Sequence, residues 1–412
     1  MHPAPFASFP RGAAPRRSSQ RVAAAAGSLA AALGAVAAPP AYVVVDLGTL
    51  AGPGEVADPG SFAAGISVDG LVVGTSVTNG PHHEFFGFRR AAGTVVGLPP
   101  LAGDEHSVAT AVNAAGDAVG MSYALGALAT HGVRWSASGG ATSLGTFVPR
   151  ALSASGVAVG QIPVAGAPGV TRAGRWDSGV VTDLGTLGGA SSSAAGISAD
   201  GWIVGASRLA NATGMHAFLW RQGVLTDLGT LGGSDAWAEA INDSHQVVGT
   251  SRTAAGALRA TLWTLDAGGQ VVQKTDLGLL GGGASSALAI SQDGVVVGAS
   301  GDSAFRWSAG SLVDLNTVIA SGSQWTLTRA TGVNAAGRIV GEGRHLGLRR
   351  AFLLVPRNPA DFDANGVVDG ADLGQILGHW GEAAPDFDLT GDGHVDGADL
   401  GVVLGSWGGY TD

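Results

Sequence analysis

A unit of about forty-five residues is written seven times along this chain, so the fold has to be a repetition of one small substructure. The clearest copy runs from Ala194 to Gly233: AAGISADGWIVGASRLANATGMHAFLWRQGVLTDLGTLGG. AAGIS and WIVGAS flank Ala199-Asp200-Gly201, and Asp-Gly between strand-like runs predicts a hairpin whose two central residues take positive φ. HAFLW, a turn at Arg221-Gln222-Gly223 and the run VLTDLGTL complete four predicted strands.

Three markers count the copies independently. A VVG-type glycine recurs at Gly74, Gly120, Gly160, Gly205, Gly249, Gly298 and Gly341, at spacings of 40 to 49 residues. An FLW-type strand recurs at Phe86 to Phe88 and then ends at Trp135, Trp176, Trp220, Trp263, Trp307 and Leu354. A DLG-type strand recurs at Asp46, Gly97, Ser143, Asp183, Asp227, Asp276 and Asp314.

The order of the copies adds a constraint. YVVVDLGTL, Tyr42 to Leu50, is a DLG strand that precedes the first VVG glycine, and the last copy stops on its FLL strand. The N-terminal strand therefore supplies the missing fourth strand of the last unit. Four strands per forty to forty-five residues predict β-propeller blades, and completing the last blade with the first strand removes the exposed edge of an open array. The expected fold is mainly β: a seven-bladed propeller over residues 42–356, followed by a small helical domain over 361–410. An open β-solenoid is the rival, but its rungs are usually shorter and it leaves the complementary ends unexplained.

The 69 glycines and 13% charged residues suit a chain of hairpins better than an ordinary enzyme. Residues 1–37 read as a signal peptide. Arg11, Arg16, Arg17 and Arg21 form a basic segment without an acid, Val22 to Val36 is an apolar run too short to span a bilayer, and Ala35-Val36-Ala37 suits cleavage. Ser-Ser-Gln after Arg16-Arg17 favours the general secretory route over twin-arginine export. The mature chain is thus expected to be secreted or surface-associated, without a transmembrane helix. A closed ring of seven sheets buries enough area to do without disulfides, and the chain has no cysteine.

The repeat motifs resemble a bacterial family, the extracellular HAF repeat, whose signature runs as a GIN-x-x-G-x-VVG strand pair, an HAFLW strand and DLGTLGG. Ala194 to Gly233, His216 to Trp220 and Asp183 to Gly189 carry the resemblance best, and GVRW, AGRW and LPPL are degenerate copies. The resemblance covers about three quarters of the chain and implies an extracellular setting, not an activity.

Most residues that suggest chemistry sit at repeat positions. Asp46, Asp183, Asp227, Asp276 and Asp314 share one place, which predicts a carboxylate accepting backbone N–H groups at a strand end. His131 and His216 share another, filled elsewhere by Arg172, Arg259, Ser303 and Arg350, which predicts a solvated strand start. The series from Trp135 to Trp307 predicts aromatics packed between blades. Trp237 and Trp325 break the pattern and are expected in connections between blades, where exposed aromatics can stack on sugar rings. Asp104-Glu105-His106 and His82-His83-Glu84 are also off pattern, but neighbouring residues on a strand point opposite ways and lack metal-ligand spacing. No GxSxG, HExxH or P-loop occurs, and no paired carboxylates for glycoside hydrolysis stand out.

Charge is concentrated at the C-terminus. Residues 361–412 hold eleven acids and no Lys or Arg, so the net charge of −10 is −11 in the tail and +1 elsewhere. Asp361, Asp363, Asn365, Val367, Asp369 and Asp372 fall at positions 1, 3, 5, 7, 9 and 12 of a twelve-residue loop with Gly366 at position 6, the spacing that wraps oxygens around Ca²⁺. Asp388, Thr390, Asp392, His394, Asp396 and Asp399, with Gly393, repeat it 27 residues later. Position 7 offers its backbone carbonyl, so the His394 side chain is not a proposed ligand. Leu373, Ile376, Leu377 and Trp380 form a helical stripe, repeated at Leu400, Val403, Leu404 and Trp407, which predicts two units packed face to face, each burying what the other exposes.

This pair resembles a type I dockerin, a loop-helix unit without an entering helix and with Asp at position 12, as at Asp372 and Asp399. The resemblance implies Ca²⁺ at two sites and docking to a cohesin-like or other extracellular protein. Thr390 predicts weaker binding at the second site. Gly370-Ala371 and Gly397-Ala398 are featureless where dockerins usually display their partner-reading pair.

Three classes of function fit the sequence. The first is a non-catalytic secreted binding or scaffold protein whose propeller presents a recognition surface and whose tail docks in Ca²⁺. The second is a component of extracellular polysaccharide degradation, and the third is a structural surface-layer or matrix protein. The mature chain lacks the basic stripe that a nucleic-acid partner would call for.

Overall fold

A computed structural model describes residues 42–50, 60–77, 84–126, 130–210, 214–320, 322–363 and 365–409. Residues 1–37, the segment expected to be a signal peptide, and the pair His82-His83 lie outside the described residues.

Seven sheets of four antiparallel strands follow one another along the chain. Blades 1 to 6 span 61–98, 106–143, 148–185, 188–227, 232–276 and 285–314. Blade 7 takes its first three strands from 325–356 and its fourth from Tyr42–Asp46, which pairs antiparallel with Leu348–Pro356 from Tyr42↔Pro356 to Asp46↔Phe352. Each first strand contacts the first strands of both neighbouring blades, and that of blade 7 contacts that of blade 1, so the sheets close into a ring around an axis. The expected fold and its closure by the N-terminal strand are what the chain adopts.

The repeated glycine is explained by an approach between strands. In every blade the first strand carries a register shift opposite the second-strand glycine, as between Ala238 and Ala240 facing Gly249. The shift turns a carbonyl onto the glycine: a Cβ at Gly249 would lie 1.9 Å from the Trp237 oxygen, and those at the other six glycines 1.9 to 2.1 Å from the equivalent oxygens. Both atoms belong to paired backbone, so neither can give way. Gly249→Ala is expected to lower the unfolding free energy by on the order of 3 kcal/mol, read as a lower urea midpoint.

The hairpin after the first strand is tighter on one side than Asp-Gly suggested. Ile197 pairs with Ile203, Gly201 N–H closes a turn on the Ser198 carbonyl at 3.1 Å, and of Asp200 and Gly201 only the glycine has positive φ (85°). Five residues lie between the paired isoleucines, so the loop is a turn with a left-handed residue at its end. Blade 5 places His245 there at φ 57°, where its ring stacks on Trp202 of blade 4 at 3.8 Å and its Nε2 meets Asp200 Oδ2 at 2.9 Å.

Blades are joined by buried hydroxyls that the sequence reading did not anticipate. Ser76, Ser122, Ser207, Ser251 and Ser300 are buried, and each accepts a backbone N–H from the loop that leaves the preceding blade, at 2.8 to 3.0 Å from Leu50, Leu101, Leu187, Leu231 and Leu280. Ser192 joins two blade 3 strands, accepting from Ala173 N–H and donating to the Gly185 carbonyl, and Ser285 repeats this with Ala260 and Gly278 of blade 5. The aromatics behave as expected: Trp135 and Trp263 are fully buried, and Trp176, Trp220 and Trp307 pack partly buried against the cores between blades.

The tail has its own core of Ala360, Val368, Ile376, Val395 and Val403. Helix α1 spans Gly370–Gly378 and helix α2 Gly397–Gly405, each N-capped by the aspartate before it, Asp369 or Asp396. Val368 pairs with Gly408 after α2, and Val395 pairs through Gly381 and Glu382 after α1, so each loop is clasped by the segment leaving the other helix. The stripes are only half buried by this arrangement. Ile376 and Val403 are inaccessible and Leu373 and Leu400 partly so, but Leu377, Trp380, Leu404 and Trp407 remain 50, 48, 53 and 51% exposed. Nine-residue helices turn one narrow face to a small core, and the second half of each stripe lies beyond it.

Candidate functional site

The fourth-strand aspartates are structural. Gly48, Gly185, Gly229 and Gly278 donate backbone N–H groups to Asp46, Asp183, Asp227 and Asp276 Oδ1 at 2.7 to 2.8 Å, and Asn316 does so to Asp314 at 2.9 Å. The second oxygen meets the third-strand start, which is therefore more than solvated: His216 reaches Asp227 at 2.8 Å, Arg172 lies 3.7 Å from Asp183, Arg259 3.8 Å from Asp276, and Ser303 donates to Asp314 at 3.0 Å. In blade 7 Asp46 is met by His345 from the end of the second strand at 2.9 Å. Blade 2 has Ser143 in place of the acid, and His131 turns to Asp104 at 3.0 Å. Glu105 accepts from Leu125 N–H and His106 is buried against Phe85 N–H and Tyr123, so the off-pattern trio is spent on three separate structural contacts.

Trp237 and Trp325 are on strands, not in connections. The first strands of blades 5 and 7 start early, at Gly232 and Trp325, and take both residues into the sheets. Trp325 stacks on His345 at 4.7 Å and meets Phe352 edge-on at 6.2 Å, covering its own blade. Trp237 lies elsewhere. It lines a cavity of about 260 Å³ shared by blades 3, 4 and 5, together with Arg150, Gln161, Ser193 and Glu239. The structure does not bring the two tryptophans into one site.

Arg150 and Glu239 sit at the register shifts of their strands and face each other at 3.6 Å. Loss of hydration pushes the Glu239 carboxyl above the usual carboxylate range, against the opposing charges of Arg150 and Arg329. A folded pKa above the unfolded one means that the folded chain holds this proton more tightly. The stability Glu239 contributes is then fully present below its ordinary value of 4.5 and is lost as pH rises through the folded value. Glu239→Gln is expected to flatten this decline, so that its melting temperature falls less than that of the native chain between mildly acidic and mildly alkaline buffer. An equal decline in both would show that Arg150 and Arg329 fully offset the burial.

In the tail, carboxylate oxygens of Asp361, Asp363 and Asp372 lie within 4.8 Å of one another, as do those of Asp388, Asp392 and Asp399. Gly366 and Gly393 have φ of 88° and 96°, the left-handed turn that lets each loop fold back on itself. Asp372 and Asp399 are buried, and their oxygens hold the loop ends: Asp372 accepts from Phe362 and Asp369 N–H, Asp399 from Thr390 and Asp396 N–H. Loss of hydration, together with the neighbouring Asp361 and Asp372 carboxylates, pushes Asp363 above the usual range. Three clustered carboxylates, one or more of them buried, fit a hard divalent cation such as Ca²⁺. Asn365 and the Val367 and His394 carbonyls complete the proposed sets. Asp369 and Asp396 already accept Ala371 and Ala398 N–H, and the Thr390 hydroxyl already donates to Asp399 at 3.1 Å.

These features define a seven-bladed β-propeller carrying a paired loop-helix module. No family model and no curated protein matches the sequence. Among solved structures, the β-propeller domain of the Trilobed protease from Pyrococcus furiosus is similar over 73% of this chain and 94% of that chain, at 11% identity and a TM-score of 0.46. YCF48 bound to D1 peptide is similar over 78% of this chain and 97% of that chain, at 11% identity and a TM-score of 0.44. TolB from Acinetobacter baumannii is similar at 12% identity and a TM-score of 0.41, over 70% of this chain, which spans 64% of that one. No helix among the described residues is long and apolar enough to cross a membrane.

Proposed function

We propose that this is a secreted, non-catalytic binding protein of HAF-repeat type whose propeller presents a recognition surface and whose dockerin-like tail docks to an extracellular partner in Ca²⁺. The observation that carries the reading is the paired tail: two acid triads that share loop positions 1 and 12 and take their third member from position 3 in the first loop and position 5 in the second, each followed by a helix that leaves an equivalent Leu, and an equivalent Trp just past the helix end, exposed. Metal would order the loops and thereby fix the positions of the exposed Leu377, Trp380, Leu404 and Trp407, side chains of the kind that make an interface centre. A cohesin-like protein is the partner the resemblance implies.

The test immobilises the mature protein in Ca²⁺, exposes it to the host's secreted and surface fractions, and elutes with a chelator. A variant with Leu377, Trp380, Leu404 and Trp407 all changed to Ser is expected to bind Ca²⁺ normally and to retain at least roughly a hundredfold less partner, as loss of hot-spot side chains implies. Equal retention by that variant would place docking elsewhere. Glycoside hydrolysis draws less support: it calls on two carboxylates, and Glu239 is the one carboxylate lining the Trp237 cavity among the described residues.

A further inference from the structure

We infer that the recess shared by blades 3, 4 and 5 is a binding site for a single neutral sugar ring. The inference deepens the reading of the propeller as a recognition surface and rests on it, but it is independent of the tail.

The recess is a consequence of which residues occupy one repeat position. The residue displaced by the first-strand register shift is Ala64, Thr110, Arg150, Ala195, Glu239, Leu288 and Thr331 in blades 1 to 7. Blade 4 has a small residue there, and the rest of its first strand, Gly188–Ile197, is Gly, Ala and Ser up to its final isoleucine. The long side chains of blades 3 and 5 therefore reach over blade 4 and leave the space of about 260 Å³ beneath them.

The walls of that space are chemically mixed. Trp237 supplies an aromatic surface on one side, and Arg150 and Glu239 supply charged donors and acceptors. The Arg150 Nη2 to Glu239 Oε2 separation of 3.6 Å exceeds a direct hydrogen bond, so each end has capacity to engage a third group. Gln161 is fixed at the wall by an Nε2 to Ser193 Oγ hydrogen bond of 2.8 Å, and Ser191 lines the space beside it.

One cation and one anion lining the same space cancel, so an ionic ligand gains no net complement and must part the pair to be compensated. A hydroxyl both donates and accepts, and suits Arg150, Glu239 and Gln161 alike. A ring with hydroxyls at its rim and C–H groups on its faces uses Trp237 as well. The volume is smaller than the roughly 300 Å³ at which drug-sized sites begin, which sets the occupant at one ring, such as the end of a glycan.

The experiment uses the mature chain in Ca²⁺ with glucose, galactose and mannose as neutral probes, galacturonate and glucosamine as charged ones, and glycyl-lysine as a peptide. Saturation-transfer NMR and calorimetry are expected to show at least one neutral hexose bound with a dissociation constant on the order of 1 mM. Trp237→Ala and Glu239→Gln are each expected to weaken it roughly tenfold or more. Thermal melting checks the fold of both variants, and the near-isosteric Glu239→Gln decides the matter where Trp237→Ala fails to fold. The inference is overturned by absence of hexose binding, by binding unchanged in Glu239→Gln, or by tighter binding of a charged or peptide probe than of any neutral sugar. Chelation is expected to leave hexose binding intact, so failure here leaves docking by the tail standing, and failure of docking leaves this site standing.

Discussion

A chain lacking residues 42–50 is expected to lose its cooperative unfolding transition and to associate through an open sheet edge. Burial of Tyr42 and Leu47 contributes on the order of 2 kcal/mol each, and half-buried Val44 and Val45 on the order of 1 each. To these are added five backbone pairs with the third strand of blade 7, the hydrogen bond from Tyr42 N–H to Val318, and the Asp46 contact to His345. That sum is a large share of the roughly 5–15 kcal/mol that separates folded from unfolded domains. The strand left bare, Leu348–Pro356, is long and apolar at its centre, a template for pairing with another copy. Differential scanning calorimetry with size-exclusion chromatography reads both effects. Adding the peptide YVVVDLGTL in trans should restore a monomer, because the missing strand is local in sequence but long-range in contact. A truncated chain that stays monomeric and melts where the native one does would remove the closing role from this strand.

Chelation of Ca²⁺ is the second large effect. Five inaccessible residues make a core too small to hold about fifty residues on its own, and each loop gathers three carboxylates within 4.8 Å. Without the cation these charges repel, and the tail is expected to unfold while the ring keeps its melting transition. Each proposed site is expected to stabilise the tail by about 2.7 kcal/mol when free Ca²⁺ is a hundredfold above its dissociation constant. Trypsin has no site after Arg357, so chymotrypsin at Phe362 and Phe387 is the suitable probe. Cleavage there should be rapid in chelator and in Asp372→Ala with Asp399→Ala, and slow for the native chain in Ca²⁺. Thr390→Asp should tighten the second site, since Asp offers a charged acceptor where the Thr390 hydroxyl is a donor to Asp399. Equal cleavage with and without chelator would mean that the loops are held by their own hydrogen bonds.

The blade count and the ring closure were legible because a repeat multiplies its signal: seven glycines at one spacing and two complementary ends leave little freedom. The aspartate role was legible for the same reason, as five copies cannot all be catalytic. The reason for the glycines was not, since the carbonyl that excludes a Cβ at Gly249 comes from Trp237, twelve residues away across a register shift. Trp237 and Trp325 were misplaced because runs such as Gly232-Gly233-Ser234-Asp235 look like loop sequence, although they continue the first strand as it lengthens to ten residues in blades 4 and 5. The cavity residues Arg150, Gln161 and Glu239 were missed because they come from separate blades. The available signal was the one aligned position where five copies have uncharged residues and two have opposite charges. In the tail, a stripe at helical spacing shows an apolar face but not how much of it a neighbour covers, so the exposure of Leu377, Trp380, Leu404 and Trp407 needed coordinates.

The central claim is that the tail attaches the propeller to something else in Ca²⁺, and the size of the native protein in its host's secreted and surface fractions tests it most directly. Sedimentation is expected to find the 40.5 kDa chain, less the proposed signal peptide, in a much larger assembly in Ca²⁺ and as a free monomer after chelation, with Asp372→Ala, Asp399→Ala free in both. A native protein that sediments as a monomer in Ca²⁺, or in an assembly indifferent to chelator and to those two substitutions, would contradict it.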